Sequence, residues 1–198
     1  MINRNIVYFL YLLCLLLIFS FVSCGKFAPP LPPESFAPKS VRDMQVIASI
    51  EGVKFEWEAP DLDRQGKELT SMNGYEIQRK VVLSKEELKD ANEEDLEFDV
   101  VGFIEDIHIL NRDEKRKLAL AEGRPSKRID ADDHLKHFTY LDQGLTPGVE
   151  YVYKIVPINQ DDEEGDVKQF VKVKFQGESS TIVLMNNSEF LAGEDFFG

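Results

Sequence analysis

Alternation of apolar and polar residues recurs along this chain and constrains its fold more than any other feature. Apolar Val53, Phe55 and Trp57 are separated by single charged residues, and residues 75–79, 151–155 and 167–175 repeat the pattern. A period of two places one face of each segment in a core and the other in water. Turn-rich segments separate these short strands, which predicts an all-β sandwich.

The net charge and the cysteine content restrict the classes of function that this chain can have. The chain has 36 acidic and 23 basic residues, a formal net charge of −13. Such a surface repels nucleic acid and anionic lipid headgroups, so no nucleic-acid partner is expected. Both cysteines, Cys14 and Cys24, lie within the first 24 residues, so the rest of the chain offers no disulfide, no cysteine-based zinc site and no thiol nucleophile. We expect no cofactor.

The first 23 residues have the composition of a secretory signal peptide. Residues 6–22 are uncharged and rich in Leu, Ile and Phe, Arg4 precedes them, and small residues follow. A transmembrane helix usually needs about 20 apolar residues, so this run is at the short limit for one. The alternative is an uncleaved helical anchor.

The segment Phe21-Val22-Ser23-Cys24 resembles the lipobox of bacterial lipoprotein precursors. Phe21 departs from the leucine most common there. The resemblance implies cleavage before Cys24, a diacylglycerol thioether on its sulfur, and further acylation of its amine, for example by palmitate. Two or more acyl chains anchor a protein stably to a membrane. Gly25 is not the aspartate associated with inner-membrane retention, which favours the outer membrane, with the periplasmic and the surface face both open.

Residues 24–40 are predicted to be a lipidated, proline-rich linker. Five of the nine prolines fall within residues 29–38. Dense proline favours extended polyproline II structure, so we expect a semi-rigid spacer between membrane and domain. A docking motif for a proline-recognising domain is the alternative.

Three motifs in the body of the chain resemble a fibronectin type III domain. They are a tryptophan in the second strand, a Gly-Tyr-x-Ile start to the third strand, and a Leu-x-Pro-Gly-x-x-Tyr corner. In this chain they are carried by Trp57, by Gly74, Tyr75 and Ile77, and by Leu145, Pro147, Gly148 and Tyr151. The resemblance implies an immunoglobulin-like β-sandwich over residues 41–176, with Tyr151 bonding through its hydroxyl to the backbone upstream.

The two halves of this pattern are separated by a longer insertion than the family uses, residues 83–137. We expect it to be partly helical and to lie between the third strand and the tyrosine-corner half. Insertions between sandwich strands often carry function, and they are also where extra chain is best tolerated. The predicted elements are a helix from the capping box Ser84–Glu87 to about Ala91, a strand within 97–107, and a helix from Asn111 or Asp113 to Ala121, closed by Gly123 and Pro125.

Two clusters resemble metal ligands only weakly. His134 and His137 could share a metal ion with Asp132 or Asp133, but their spacing is common and no further ligand is implied, so a solvated end of the insertion is the simpler interpretation. The acidic residues in 161–166 could bind Ca²⁺ but lack the spacing of an EF-hand loop. We therefore predict no metal site, and an acidic turn at 161–166.

The last 22 residues, 177–198, are predicted to be an acidic C-terminal tail. Their apolar run at 181–185 could add a strand to a sheet edge, and Phe190, Phe196 and Phe197 could form a docking motif. A frayed terminus is the default expectation.

The sequence therefore predicts an envelope lipoprotein with a non-enzymatic module that binds protein or glycan partners. No nucleophile elbow, phosphate loop or metalloprotease motif occurs in it. The alternative is an envelope enzyme or carbohydrate-active accessory protein with its site in residues 83–137. Because many roles share this fold, the step from fold to function is an analogy.

Overall fold

The computed structural model describes residues 31–83 and 97–194, with side chains up to Leu191, and the compact unit they belong to begins at Pro32. Two antiparallel sheets pack against each other. The first has the order β1-β2-β5 and comprises Arg42–Ser49, Gly52–Glu58 and His137–Asp142. The second has the order β4-β3-β6-β7-β8 and comprises Asp99–Glu105, Gly74–Val81, Glu150–Ile158, Gln169–Lys174 and Thr181–Asn186.

The core lies where the inner faces of the two sheets meet. Along β2, Val53, Phe55 and Trp57 are buried and the charged residues between them are half-buried, as the alternation predicts. Trp57 meets Tyr75 of β3 edge to face, with ring centroids 5.4 Å apart, a geometry that adds about 0.5–1.5 kcal/mol to the area term. The chain passes between the sheets after β2, β4 and β5, which are Greek-key connections of an immunoglobulin-like sandwich. The predicted fold class is confirmed.

The insertion supplies an edge strand and one long helix. The strand expected within 97–107 is β4, and the helix, α1, is His108–Ala121. The prediction that Asn111 or Asp113 begins this helix is wrong, because the Asp106 carboxylate accepts the His108 amide at 2.8 Å and the helix starts earlier. Its end at Ala121 agrees, with Gly123 in the left-handed region at φ 72°. The helix predicted from Ser84 lies outside the described residues.

Residues 33–40, predicted to be part of the spacer, lie on the sandwich instead, and we call them the strap. The strap begins with a 3-10 turn, Pro33–Phe36, and then pairs Pro38 with Asp63. Ala37 is fully buried. The strap runs between the β2–β3 loop (59–73) and the β6–β7 loop (159–168), at the end of the sandwich where β1 begins. We call this end the strap pole.

The segment predicted as a C-terminal tail contributes regular structure up to residue 194. Its apolar run is β8, which pairs with β7 over six residues without a register shift. A helix, α2, follows at Asn187–Glu194. Phe190 from α2 stacks on Phe170 of β7 with centroids 4.1 Å apart, and Phe98 completes this aromatic group. Phe196 and Phe197 lie outside the described residues.

Candidate functional site

The residues of the predicted corner surround the turn between β5 and β6. The Thr146 amide donates to the Tyr151 hydroxyl at 3.0 Å. Gly148 has φ 89°, which only glycine adopts readily, and its amide donates to the Phe175 carbonyl at 2.7 Å. Leu145 is buried and Pro147 is exposed. These contacts fix a loop against the core, and their role is structural.

The residues suggested as metal ligands make other contacts, although His137 Nε2 lies 3.6 Å from an Asp133 carboxylate oxygen. Asp132 accepts Lys115 Nζ at 2.6 Å and the Asn111 side-chain amide at 3.3 Å. His137 faces Glu58 across the β2–β5 ladder, and His134 is exposed in a 3-10 turn, Asp133–Leu135. Within residues 31–83 and 97–194, no group of three or more His, Cys, Asp or Glu side chains could hold a metal ion. Cys24 lies outside the described residues.

Asn159 organises the acidic turn at 161–166. Asn159 Oδ1 accepts the amides of Asp161 and Glu163 at 3.0 and 2.9 Å. The adjacent Asp162 has a positive φ of 60°, a conformation that aspartate tolerates in turns. The carboxylates of this turn therefore sit on a self-contained loop.

A small cavity lies between α1 and two loops in the described part of the insertion. It has a volume of about 240 Å³ and is lined by polar and charged groups from the β2–β3 loop, α1 and residues 127–130. Drug-sized ligands usually occupy 300–1,000 Å³. Its lining residues are Asp61, Glu68, His108, Ile109, Arg112, Arg116, Lys127, Arg128, Ile129 and Asp130.

Most charges in this cavity already have partners. Arg112 donates to the Leu69 carbonyl at 2.9 Å and lies 3.3 Å from Glu68. Arg116 donates to Glu68 at 2.6 Å and to the Ile129 carbonyl at 2.8 Å. The hydrogen bond from Arg116 lowers the pKa of Glu68. The two arginines therefore bind α1 to the β2–β3 loop, which leaves them little capacity for a ligand.

His108, which lines the cavity, belongs to a buried network of three residues. Asp106 accepts the Tyr75 hydroxyl at 2.6 Å and lies 2.7 Å from His108 Nδ1. All three residues are at most 2% exposed. Burial, followed by the negative charge of Asp106, raises the pKa of Tyr75 well above its ordinary value. The network orients the His108 ring and ties the start of α1 to β3.

A second buried carboxylate joins the two sheets. Asp142, on β5, accepts Arg79 Nη1 at 2.9 Å and the Tyr153 hydroxyl at 2.8 Å, both from the other sheet. Burial and the Asp142 charge raise the pKa of Tyr153 strongly. Sequence analysis did not single out Asp106 or Asp142, since nothing local distinguishes a buried aspartate from the many exposed ones. For Asp106, the one available signal was its position two residues before the first helical residue.

Sheet order, Greek-key connections and the tyrosine corner together define a fibronectin type III-like domain, extended by β8 at one edge. The chain is similar to solved structures, of which three follow. With the twitchin kinase region from C. elegans (Fn31-NL-kin-CRD-Ig26), identity is 13% and the TM-score 0.37, covering 77% of this chain and 17% of that one. The chain therefore spans about a sixth of that relative's length.

Two further similar structures are single domains, with comparable identities and TM-scores. The third fibronectin III domain of human KIAA0343 protein shares 12% identity at a TM-score of 0.35, covering 82% of this chain and 92% of that one. The FN5 domain of Drosophila Lar shares 12% identity at a TM-score of 0.31, covering 76% and 99%. No protein-family model matches the chain, and no curated protein sequence matches it. In the described part of the chain, no helix is long and apolar enough to span a bilayer.

Proposed function

We propose that the protein is a lipid-anchored envelope lipoprotein whose fibronectin type III-like domain is a non-enzymatic module that binds protein or glycan partners. Domains of this type generally serve binding or structural roles. The anchor is the lipid on Cys24, and the outer membrane is the proposed location. The observation that carries the proposal is the strap, because it links the anchor to one end of the sandwich.

The strap begins a few residues after the proposed anchor. Eight residues, 25–32, lie between Cys24 and Pro33, where the 3-10 turn begins. A fully extended chain spans at most about 3.6 Å per residue, so the nine peptide steps from Cys24 to Pro33 cannot exceed about 32 Å. A lipid on Cys24 would keep Pro33 within that reach of the bilayer, and we propose that partners bind to the sides and the opposite pole of the sandwich.

Several bonds hold the strap to both loops of its pole. The Lys39 amide donates to the Leu62 carbonyl at 2.9 Å, and the Asp166 amide donates to the Pro38 carbonyl at 3.0 Å. Arg64 pairs with Asp166 at 2.8 Å and donates to the Glu34 carbonyl at 3.4 Å. The loops at this pole are thus occupied by the protein's own chain, which leaves the strand edges and faces for partners.

Metabolic labelling with a clickable fatty acid tests the anchor. The wild-type protein and a Cys14→Ala control should take up label and pellet with membranes, because Cys14 lies within the predicted signal peptide. Cys24→Ala should remain unlabelled and lose membrane attachment. Label on the Cys24→Ala protein, or an unlabelled wild type, contradicts the proposal.

The second candidate function is an enzyme or carbohydrate-active accessory with its site in residues 83–137. The observation that favours it is His108, which lines the cavity under α1 and whose ring contacts the buried Asp106 carboxylate, since a carboxylate often orients a catalytic imidazole. The described lining contains no Ser, Thr or Cys beside this histidine. His108→Gln, assayed at a temperature where the variant is still folded, distinguishes the two: a binding module keeps its binding, whereas an enzyme loses turnover.

A further inference from the structure

The outer edge of β8 carries backbone groups that face away from the sheet. The Phe175 amide donates to the Val149 carbonyl of the β6 side at 3.0 Å. Because successive residues of a strand point their peptide groups to opposite sides, the even-numbered residues of β7 face β8. In this register they lie opposite Thr181, Val183 and Met185. The peptide groups of Ile182 and Leu184 therefore point outward.

Contacts at the end of β8 support the same assignment. The Asn186 amide, which has the parity of Ile182 and Leu184, donates to the Glu189 carboxylate at 2.8 Å instead of to β7. The Glu189 carboxylate therefore accepts the last outward-facing amide of the edge. The edge begins at Ile182 and ends at this carboxylate.

β8 differs from the other three edge strands of the described sheets. β1 contains Arg42, Asp43 and a register shift, and Asp43 has a positive φ of 47°. β4 is bounded by Asp99 and Glu105, and its register with β3 shifts between Gly102 and Val100. β5 ends at a buried charged residue, Asp142.

Irregularities and charges of this kind protect sheet edges from pairing with other chains. β8 has six uncharged residues, continuous pairing and no proline. It is therefore the unprotected edge among the four.

Exposed apolar side chains flank this open edge. Val183 and Leu184, which project to opposite faces of the sheet, are 46% and 49% exposed. Ile182 packs partly against the core. An added strand would cover Val183 and Leu184 while its backbone paired with Ile182 and Leu184, the arrangement of β-strand addition.

The charges at the two ends of β8 indicate what kind of strand fits. Glu189 lies at one end of the open edge, and Glu178 precedes the strand by three residues at the other. A second copy of this chain in antiparallel register would place these carboxylates near each other, and each copy has a net charge of −13. Like charges oppose that pairing, whereas basic ends complement it.

We propose that the outer edge of β8 binds an extended segment of a partner protein, with an apolar centre and Lys or Arg at both ends. The segment pairs with the backbone of Ile182 and Leu184, and its basic ends lie beside Glu178 and Glu189. This inference specifies the kind of partner that the proposed binding module takes. It rests on that proposal only for the compartment in which the partner is found, because the strand edge is a property of the folded domain.

A designed peptide tests the site on the full-length protein in detergent micelles. The probe is Lys-Lys-Thr-Ile-Thr-Val-Thr-Lys-Lys, and its control has Glu at the four basic positions. Anisotropy of the labelled peptide should show at least tenfold tighter binding of the basic probe, and added salt should weaken it. Residue-resolved amide exchange should slow at Ile182 and Leu184 and stay unchanged at Val183, which is already bonded to β7.

Two variants locate the interaction on the protein. Glu178→Lys should weaken binding of the basic probe severalfold, and Glu114→Lys, the same charge change on exposed α1, should leave it unchanged. Leu184→Pro removes an outward amide without breaking the β7 ladder and should weaken binding about tenfold. If Leu184→Pro unfolds the chain, the exchange pattern of the wild type still decides.

Three results overturn the proposal: equal binding of the two peptides, protection at β1 or β4 instead of β8, and a dimer joined through β8 that excludes the probe. The test does not depend on the anchor. A Cys24→Ala protein that leaves the membrane but binds the probe refutes the proposed anchoring and keeps the strand site. A protein that is lipidated but fails to bind the probe keeps the proposed anchoring and refutes the strand site.

Discussion

The Tyr140 hydroxyl donates a hydrogen bond of 2.6 Å to the Val101 carbonyl, across the gap between the two sheets. Val101 is the extra residue of the β4 bulge, since its neighbours Gly102 and Val100 pair with consecutive residues of β3. The bulge therefore turns one carbonyl away from the ladder, and Tyr140 of β5 satisfies it. This bond joins an edge strand of one sheet to an edge strand of the other.

Loss of this hydroxyl should destabilise the fold modestly. Tyr140→Phe leaves the Val101 carbonyl partly buried without its partner, which should cost about 0.5–1.5 kcal/mol in free energy of unfolding. Urea unfolding monitored by Trp57 fluorescence measures it. An unchanged midpoint would mean that water replaces the tyrosine without loss.

Gly102 should be irreplaceable for a steric reason. A Cβ atom at this position would lie 2.4 Å from Tyr140 Cε2 and 2.8 Å from its hydroxyl. We expect Gly102→Ala to displace the ring, break the bond to Val101 and destabilise the fold by about 1–3 kcal/mol. Combining it with Tyr140→Phe should cost less than the sum of the two, because both changes disrupt one contact.

Removal of the buried Asp106 carboxylate should be more damaging than removal of one of its partners. Asp106→Asn replaces two acceptor oxygens with one, and we expect a loss of about 1–3 kcal/mol. Tyr75→Phe removes a single bond and should cost less. Thermal unfolding of both variants and their double mutant gives the comparison, and equal losses for Asp106→Asn and Tyr75→Phe would show that His108 gains nothing from the carboxylate.

Glu68 should make stability depend on pH in the acid range. The hydrogen bond from Arg116 keeps the pKa of this carboxyl lower in the folded chain than in the unfolded one. Its contribution is therefore fully present above the ordinary glutamate pKa of about 4.3 and disappears as pH falls through the lower folded-state pKa. Glu68→Gln should lower the melting temperature at pH 7 but much less at pH 3.

The control for this pH series is Glu51→Gln, at an exposed position with no side-chain ion pair described. It should follow the wild type at every pH. Salt should reduce the Glu68 effect, because its side chain is 56% exposed. Parallel curves for the wild type and Glu68→Gln from pH 7 to pH 3 would contradict the assignment.

The attachment of the strap should depend on Arg64. Arg64→Met removes its bonds to Asp166 and to the Glu34 and Glu164 carbonyls. Amide exchange should then accelerate at Lys39 and Asp166 while β2 and β6 keep their protection. The matched control is Arg124→Met, because Arg124 pairs only with nearby Glu122 in the described contacts. Unchanged exchange in Arg64→Met would mean that backbone bonds alone hold the strap.

The parts of the fold that were predictable depend on local patterns. A half-buried strand must alternate, so β2, β3 and β6 are visible in the sequence, and the corner motif places Tyr151. The predicted start of α1 at Asn111 or Asp113 was wrong because the carboxylate of Asp106, which lies outside the helix, accepts an amide of the first helical turn. The strap was missed because proline density reports local conformation only. Its docking depends on Arg64 and on Gly165, where a Cβ atom would lie 2.4 Å from the Pro38 carbonyl oxygen, and both are distant from the strap in sequence.

The candidate site was less predictable than the fold. The cavity under α1 gathers groups from three separate segments, and no spacing rule connects Glu68 with Arg116. The apolar run at 181–185 is compatible with an added edge strand, but a five-residue run does not reveal whether a neighbouring strand has a free side. Whether β7 has a free side depends on the order of the strands in the complete sheet.

The position of the strap changes where an experimenter can cut this protein. A recombinant version begun at Val41, where the alternating pattern starts, would discard Ala37 and leave the amides of Arg64 and Asp166 without their acceptors at Ala37 and Pro38. Exposed loop ends and emptied pockets of this kind favour aggregation and proteolytic nicking. Expression for crystals or binding assays should therefore start no later than Pro32.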